Sequence, residues 1–420
     1  MSTAIDTRAA GLRDRLRGAL VAAAATPMTR SGEVDLDLAE SYFHRLVATG
    51  ADALAVLAHT GRGPFLPAEL RRELILRART AGVPVIVGVG GSSDQTGPPG
   101  TAARPRAARA TDPATASPPA KDSGKPSRDD ERASTGAFSI AMPPAETATA
   151  AHDPGTREPG DGGHGAPAPG GGAHGDIGRG TTERGDAGGG ARGHGDGGDG
   201  EAGRGVRGSE AALGDDPVRG TVADARMAAE LGADGVLVFP SAGDRVAEHD
   251  AVWQATGLPM IAFDLYTAPC PPAVLAEILR HPGVAGLKTA LLSDAMGCQE
   301  TIALTREAGR LALTGEDRMF GASLLWGAEA ALVGIAAASV EATAAVLRAF
   351  EGDDLRAFEK ASARLDRLAA ATFTAPMEGY VQRMLWLAAA EGLIPEAHAH
   401  DPFGPELPEG ERAAVIAASS

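Results

Sequence analysis

Along most of the chain, short runs of consecutive apolar residues alternate with longer stretches in which apolar residues recur every three or four positions. The runs at 20–24, 53–57, 84–89, 235–239, 260–264, 284–288, 311–313 and 331–335 predict eight strands. Helical periodicity follows each of them. Asp35 caps a helix on which Leu38, Tyr42, Leu46 and Val47 share a face, and Gly50 ends it. Comparable patterns predict helices at 67–77, 221–231, 246–255, 271–280, 294–307 and 320–326, with three more at 340–350, 355–370 and 377–391. Strands that are apolar throughout, rather than alternating, imply a parallel sheet buried on both faces. Eight strand–helix units of this kind close most naturally into a (β/α)8 TIM barrel, here with a C-terminal helical extension. An open doubly wound sheet is the alternative, but it usually carries a Gly-rich phosphate loop after its first strand, and Thr26-Pro27-Met28 offers none.

The pattern lapses once, between residues 92 and 219. Half of the 56 glycines and about half of the 29 prolines fall there, with Phe138 the only aromatic residue. Too little apolar surface exists to offset the entropy of ordering, so the segment is expected to be a disordered insertion in the loop after strand three, on the active-site face. A Gly-x-Gly-x-x-Gly match at 193–198 lies inside it without a flanking strand or helix. Four histidines there, His152, His164, His174 and His194, lack the spacing of a metal site, and no metal is expected. The expected organisation is a tail at 1–17, barrel strands one to three at 18–91, the insertion at 92–219, strands four to eight at 220–338, closing helices at 339–405 and a tail at 406–420. Arg13, Arg15 and Arg17 before the Ala-rich run at 19–25 faintly resemble a signal peptide, but the short run preceded by Asp6 and Asp14 reads better as a first strand.

A formal charge of −16 disfavours nucleic acid and anionic membrane as partners. No apolar run reaches the roughly 18 residues of a membrane span. Two cysteines, Cys270 and Cys298, fit a reducing cytoplasm.

In a barrel, chemistry collects where strands meet the loops after their C-terminal ends. Lys288 ends strand six, and it is one of only four lysines (with Lys121, Lys125 and Lys360) in a chain with 39 Lys and Arg residues. A sequence so biased to Arg keeps a lysine where guanidinium cannot serve, and Schiff-base formation is such a case. Its apolar strand should lower its pKa toward neutrality; pairing with Asp264 or Glu316 is the structural alternative. The Gly-containing turn after strand two, His59-Thr60-Gly61-Arg62, can cradle a carboxylate or phosphate on backbone amides, with His59 a proton carrier, or be an ordinary tight turn.

From about residue 18 to 391, outside the insertion, the sequence resembles the dihydrodipicolinate synthase / N-acetylneuraminate lyase superfamily of class I aldolases. The resemblance is carried by the Ala-Thr-Pro-Met run at 25–28, the His59-Thr60-Gly61 turn, residues 85–90 and 232–240, Gly286-Leu287-Lys288 and Thr314-Gly315-Glu316-Asp317. It implies that Lys288 forms an imine with pyruvate or a related 2-oxo acid, with no other cofactor, and that His59, Thr60 and Gly61 hold the carboxylate. Phe263 and Ala337, at the ends of strands five and eight, are implied as further substrate contacts. A homodimer or homotetramer is expected. The chain departs from the family where Gly-Thr-Thr-Gly-Glu is replaced by Ala58-His59-Thr60-Gly61-Arg62 and where the strand-five tyrosine is replaced by Phe263. His59 or Tyr266 would then move protons in place of that relay. Three functions are compatible with these residues: a pyruvate-dependent aldolase or lyase, a dehydratase of deoxy sugar acids working through the same imine, and a degenerate barrel that binds a metabolite without turnover.

Overall fold

The computed structural model describes residues 4–91, 217–352 and 354–419. Eight parallel strands close a barrel in chain order: β1 (Leu20–Ala23), β2 (Ala53–Val56), β3 (Val85–Val89), β4 (Gly235–Val238), β5 (Met260–Leu265), β6 (Val284–Ala290), β7 (Leu311–Thr314) and β8 (Ala330–Val333), with β8 pairing back onto β1. The expected (β/α)8 barrel is thus present. β3 pairs directly with β4, Ile86 opposite Gly235 and Val89 opposite Val238, so the long intervening sequence leaves the barrel register intact.

The strands read as continuously apolar because both of their faces are covered. Alternate residues still divide. Val21, Ala23, Ala53, Ala55, Ile86, Leu237, Ile261, Leu311, Leu313 and Leu332 fill the barrel interior, while Leu20, Leu54, Val85, Val236, Met260 and Leu287 pack outward against the helices. Alanines on β1 and β2 face larger residues from β3, β4 and β5, which fills the interior without crowding.

Helices α2 (Leu36–Ala48), α3 (Ala68–Arg79), α4 (Pro217–Glu230), α5 (Arg245–Thr256), α6 (Pro272–Arg280), α7 (Ala295–Glu307) and α8 (Phe320–Leu325) follow the first seven strands in turn. Asp35, Asp244 and Asp294 cap α2, α5 and α7 by accepting backbone N–H bonds. α9 (Val340–Glu351), α10 (Leu355–Thr372) and α11 (Tyr380–Ala390) form the C-terminal extension.

Three stretches differ from expectation. Residues expected as an N-terminal tail include α1 (Thr7–Leu16), which buries Ala9, Leu12 and Leu16 in the interior cluster of the barrel. Arg8, Arg13, Asp14 and Arg15 make four of its ten residues charged, and they mask an apolar face only three residues wide. The expected C-terminal tail includes α12 (Glu411–Ala418), seated on Val415 and on an ion pair from Arg383 to Glu411. α4 begins at Pro217, so the last residues of the 92–219 stretch are helical. The rest of that stretch, with Lys121, Lys125 and the four histidines, lies outside the described residues. Both cysteines are buried and unbonded. Among the described residues no helix is long and apolar enough to cross a membrane.

Candidate active site

Lys288 projects from β6 and is 7% exposed, with its Nζ 4.4 Å from the centroid of the Phe263 ring on β5. Among the described residues its nitrogen makes no hydrogen bond or close ion pair, and it lines a cavity of about 40 Å³. Burial pulls its pKa well below the ordinary lysine value, against the opposing charges of Asp317 and Glu316. Those carboxyls are themselves pushed up by burial. Glu316 reaches about 7 although the amides of Leu291 and Leu292 donate to it, and Asp317 rises although it accepts from the Ile335 amide at 2.7 Å. Burial thus disfavours the charged form of all three groups. Gly315 makes room for the lysine: a Cβ there would meet Lys288 Cε at 2.5 Å.

The turn after β2 is shaped by two non-glycine residues in the left-handed region, Leu57 (φ 57°) and Arg62 (φ 54°). Each costs on the order of 1–2 kcal/mol. The turn can rest on β3 because position 88 is glycine, where a Cβ would come within 2.6 Å of the Leu57 carbonyl oxygen. The strained loop presents His59 and Thr60 to the Lys288 cavity. Within the described residues neither the His59 nor the Thr60 amide is a donor to another protein group, whereas the Gly61 amide bonds the Ala58 carbonyl.

The C-terminal extension closes this mouth. The hydroxyls of Thr60 and Tyr380 share a 3.1 Å hydrogen bond. His59 Nε2 lies 2.9 Å from Glu378 Oε2, and the Tyr266 hydroxyl donates to Glu378 Oε1 at 3.1 Å. Burial acts to raise the Glu378 pKa, but the hydrogen bond and charge of His59 and the guanidinium of Arg62 outweigh it and hold the carboxyl below its ordinary range. Burial pushes the phenols of Tyr266 and Tyr380 above the usual tyrosine range. Phe373 stacks on Tyr380 at 4.9 Å.

Two arginines hold the extension in place. Arg62, 1% exposed, donates from Nε and Nη2 to Asp401 (2.6 Å for Nη2), from Nη1 to Glu378 and from Nη2 to the Glu378 carbonyl. Arg383 donates to the carbonyls of Thr372, Thr374, Ala375 and Pro376, which shapes the turn between α10 and α11. Removing one partner of a buried pair strands the other charge, at about 3–5 kcal/mol. Asp401→Ala is therefore expected to destabilise the protein toward the lower end of that range, since Glu378 remains on Arg62. The denaturant midpoint at constant m-value measures it.

Lys288, His59, Thr60, Phe263 and Tyr266 are thus brought together around one cavity. Gly61 stays in the turn behind them. Ala337 is fully buried and its carbonyl accepts the Tyr42 hydroxyl at 2.5 Å, so Gly334 rather than Ala337 reaches the cavity from the end of β8. Glu378 and Tyr380 are not marked by the sequence as chemical groups, whereas Asp317 closes the Thr314–Asp317 run that carries the resemblance. Asp317 follows from the strand-end rule; Glu378 and Tyr380 lie in a segment that reads only as helix. Among the described residues no group of His, Cys, Asp and Glu is arranged to hold a metal ion.

Fold and site together define a (β/α)8 barrel with a desolvated lysine at the C-terminal mouth. Residues 16–101 match the dihydrodipicolinate synthetase family model. A 4-hydroxy-tetrahydrodipicolinate synthase from Bifidobacterium animalis subsp. lactis is 39% identical over 74 residues, which are 17% of this chain and 24% of that relative's length. The N-acetylneuraminate lyase of Mycoplasma synoviae superposes with a TM-score of 0.57 at 12% identity, covering 97% of each chain. The dihydrodipicolinate synthase of Bacteroides thetaiotaomicron gives 0.58 at 15% identity over 96% of this chain and 97% of its own. That of Oceanobacillus iheyensis gives 0.60 at 11% identity, covering 98% and 97%. The chain is thus similar in sequence to the dihydrodipicolinate synthetase family over its first three strands, and it shares the barrel fold of these solved structures.

Proposed function

We propose that the protein is a class I aldolase or lyase in which Lys288 condenses with pyruvate or a related 2-oxo acid. The observation that carries this reading is the buried amine, unpaired among the described residues, facing a cavity lined by proton carriers. The free amine attacks C2 of the oxo acid, the carbonyl oxygen leaves as water, and the protonated imine draws electrons from C3. Loss of a C3 proton gives the enamine, which forms a C–C bond to an aldehyde carbon; the reverse sequence cleaves one. The imine is itself the electron sink, so this route calls on no further cofactor. The unengaged amides of His59 and Thr60 suit the carboxylate of the oxo acid. Of the expected proton carriers, His59 and Tyr266 both meet Glu378, and Tyr380 joins them as the phenol bonded to Thr60.

Borohydride with labelled pyruvate tests the reading. Label is expected on the peptide containing Lys288. Because burial lowers the lysine pKa, the trapping rate should rise with pH and level off well below the ordinary lysine value of 10.5. Label absent from that peptide, or a rate still climbing near 10.5, would overturn it.

A further inference from the structure

A larger cavity, of about 640 Å³, opens on the face of the barrel opposite Lys288. Its wall fixes that placement. Arg310 and Glu329 stand immediately before β7 and β8, at the N-terminal ends of the strands, whereas Lys288 lies toward the C-terminal end of β6. The last turn of α1 and its cap bring Arg13 and Arg17, the end of α7 brings Arg306 and Glu307, and Trp326 follows α8. The volume is that of a metabolite or cofactor pocket.

Four arginines thus share one wall in a chain of net charge −16. Two of them are engaged: Arg17 pairs with Glu329, and Arg13 bonds Asp14 at 2.8 Å and the Gly309 carbonyl at 3.3 Å. Among the described residues Arg306 and Arg310 have no carboxylate within ion-pair distance, and Glu307 on the same wall meets neither. Arg310 is 4% exposed, yet its one hydrogen bond runs from Nη2 to the His281 carbonyl at 3.3 Å, and its buried Nε has no partner. Burial, and after it the charge of Arg13, pull its pKa below the ordinary arginine value. A buried guanidinium beside a second cation and short of acceptors is an arrangement that an anion completes. Arginines also suit helix C-termini, where they meet free carbonyls. That accounts for Arg13 on Gly309, but Arg306 reaches no carbonyl. Its guanidinium lies against the turn between α8 and β8, where Gly327 leaves it room: a Cβ there would collide with Arg306 Nη1. Trp326, in the same turn, is half-buried and lines the cavity.

We propose that this cavity binds a small phosphate ester carrying a planar ring, with the phosphate held by Arg306 and Arg310 and the ring against Trp326. Guanidinium forks meet phosphate oxygens two at a time. The indole gives a ring an apolar seat that a bare sugar phosphate would not use. The negative charge of the chain as a whole disfavours a long polyanion, so the occupant is a small molecule rather than nucleic acid. The site lies at the other end of the barrel from Lys288 and is independent of the imine reading.

Calorimetry on the full chain with AMP, ribose 5-phosphate and adenosine tests the assignment. AMP is expected to bind with a Kd of about 10–100 μM, the affinity that ordinary efficiency gives a ligand of its size. Ribose 5-phosphate should bind about ten-fold more weakly for want of the ring, and adenosine about 100-fold more weakly for want of the phosphate. Arg306 is exposed, so Arg306→Gln should fold as the parent does and weaken AMP by about ten-fold. Trp326→Ala should bring AMP down to the affinity of ribose 5-phosphate, and Lys288→Ala should bind AMP as the parent does. No binding at about 1 mM AMP, or an unchanged Kd in Arg306→Gln, would overturn the proposal. So would adenosine or ribose 5-phosphate matching AMP. Loss of AMP binding in Lys288→Ala would place the nucleotide at the barrel mouth and overturn it equally.

Discussion

Lys288→Ala and Lys288→Arg are both expected to lose at least about 10⁴-fold in turnover and all borohydride label, while melting cooperatively as the parent does. The two variants separate chemistry from packing. Alanine removes a buried cation that the barrel mouth only partly compensates, since Asp317 and Glu316 are themselves shifted toward neutrality by burial. The fold should therefore tolerate its loss, with a cavity beside Gly315 as the main penalty. Arginine retains a cation near Phe263 but holds its proton at every working pH and cannot form an imine. Turnover within ten-fold of the parent in the arginine variant would mean that the positive charge, rather than the amine, is what the site needs.

How far the sequence reveals this depends on distance along the chain. The barrel was legible because each strand is apolar on both faces, a property fixed within five or six residues. Lys288 was legible because a lone lysine at a strand end in an Arg-rich chain is a local anomaly. The His59 turn was visible, yet what engages it was not. Glu378 and Tyr380 lie more than 300 residues away and meet the turn only because Arg62 and Arg383 clasp the α10–α11 turn against it. Arg62 is one of the residues at which the turn departs from the Gly-Thr-Thr-Gly-Glu pattern of the family it resembles. In the fold it is the buried anchor of a C-terminal segment that brings a phenol to the barrel mouth. α1 was missed for a different reason. Its polar majority masks three buried positions, and only the open end of the barrel interior gives those positions a purpose.

Tyr380→Phe is expected to slow the proton-transfer steps by about 10²- to 10³-fold, within the range typical of a positioned acid or base. The chain has three tyrosines. Tyr42 is spent in the core on the Ala337 carbonyl, and the Tyr266 proton is directed at Glu378. Only Tyr380 shares its hydroxyl with the Thr60 hydroxyl, in the loop whose amides suit the oxo-acid carboxylate. Burial pushes its phenol above the usual tyrosine range, so under the proposed reaction it would act as a donor to the departing oxygen and recover its proton through Thr60. Its ring is held by Phe373, which the phenylalanine variant preserves, so stability should fall only by about the 1 kcal/mol of one hydrogen bond. Exchange of the C3 hydrogens of pyruvate for deuterium requires the imine, so its rate, followed by NMR, falls when formation of the imine is slowed. Tyr266→Phe should slow it by no more than about ten-fold, because Glu378 keeps His59 as a partner. If the order of the two variants is reversed, the proton travels through Tyr266 and Glu378, and Tyr380 serves only to close the mouth.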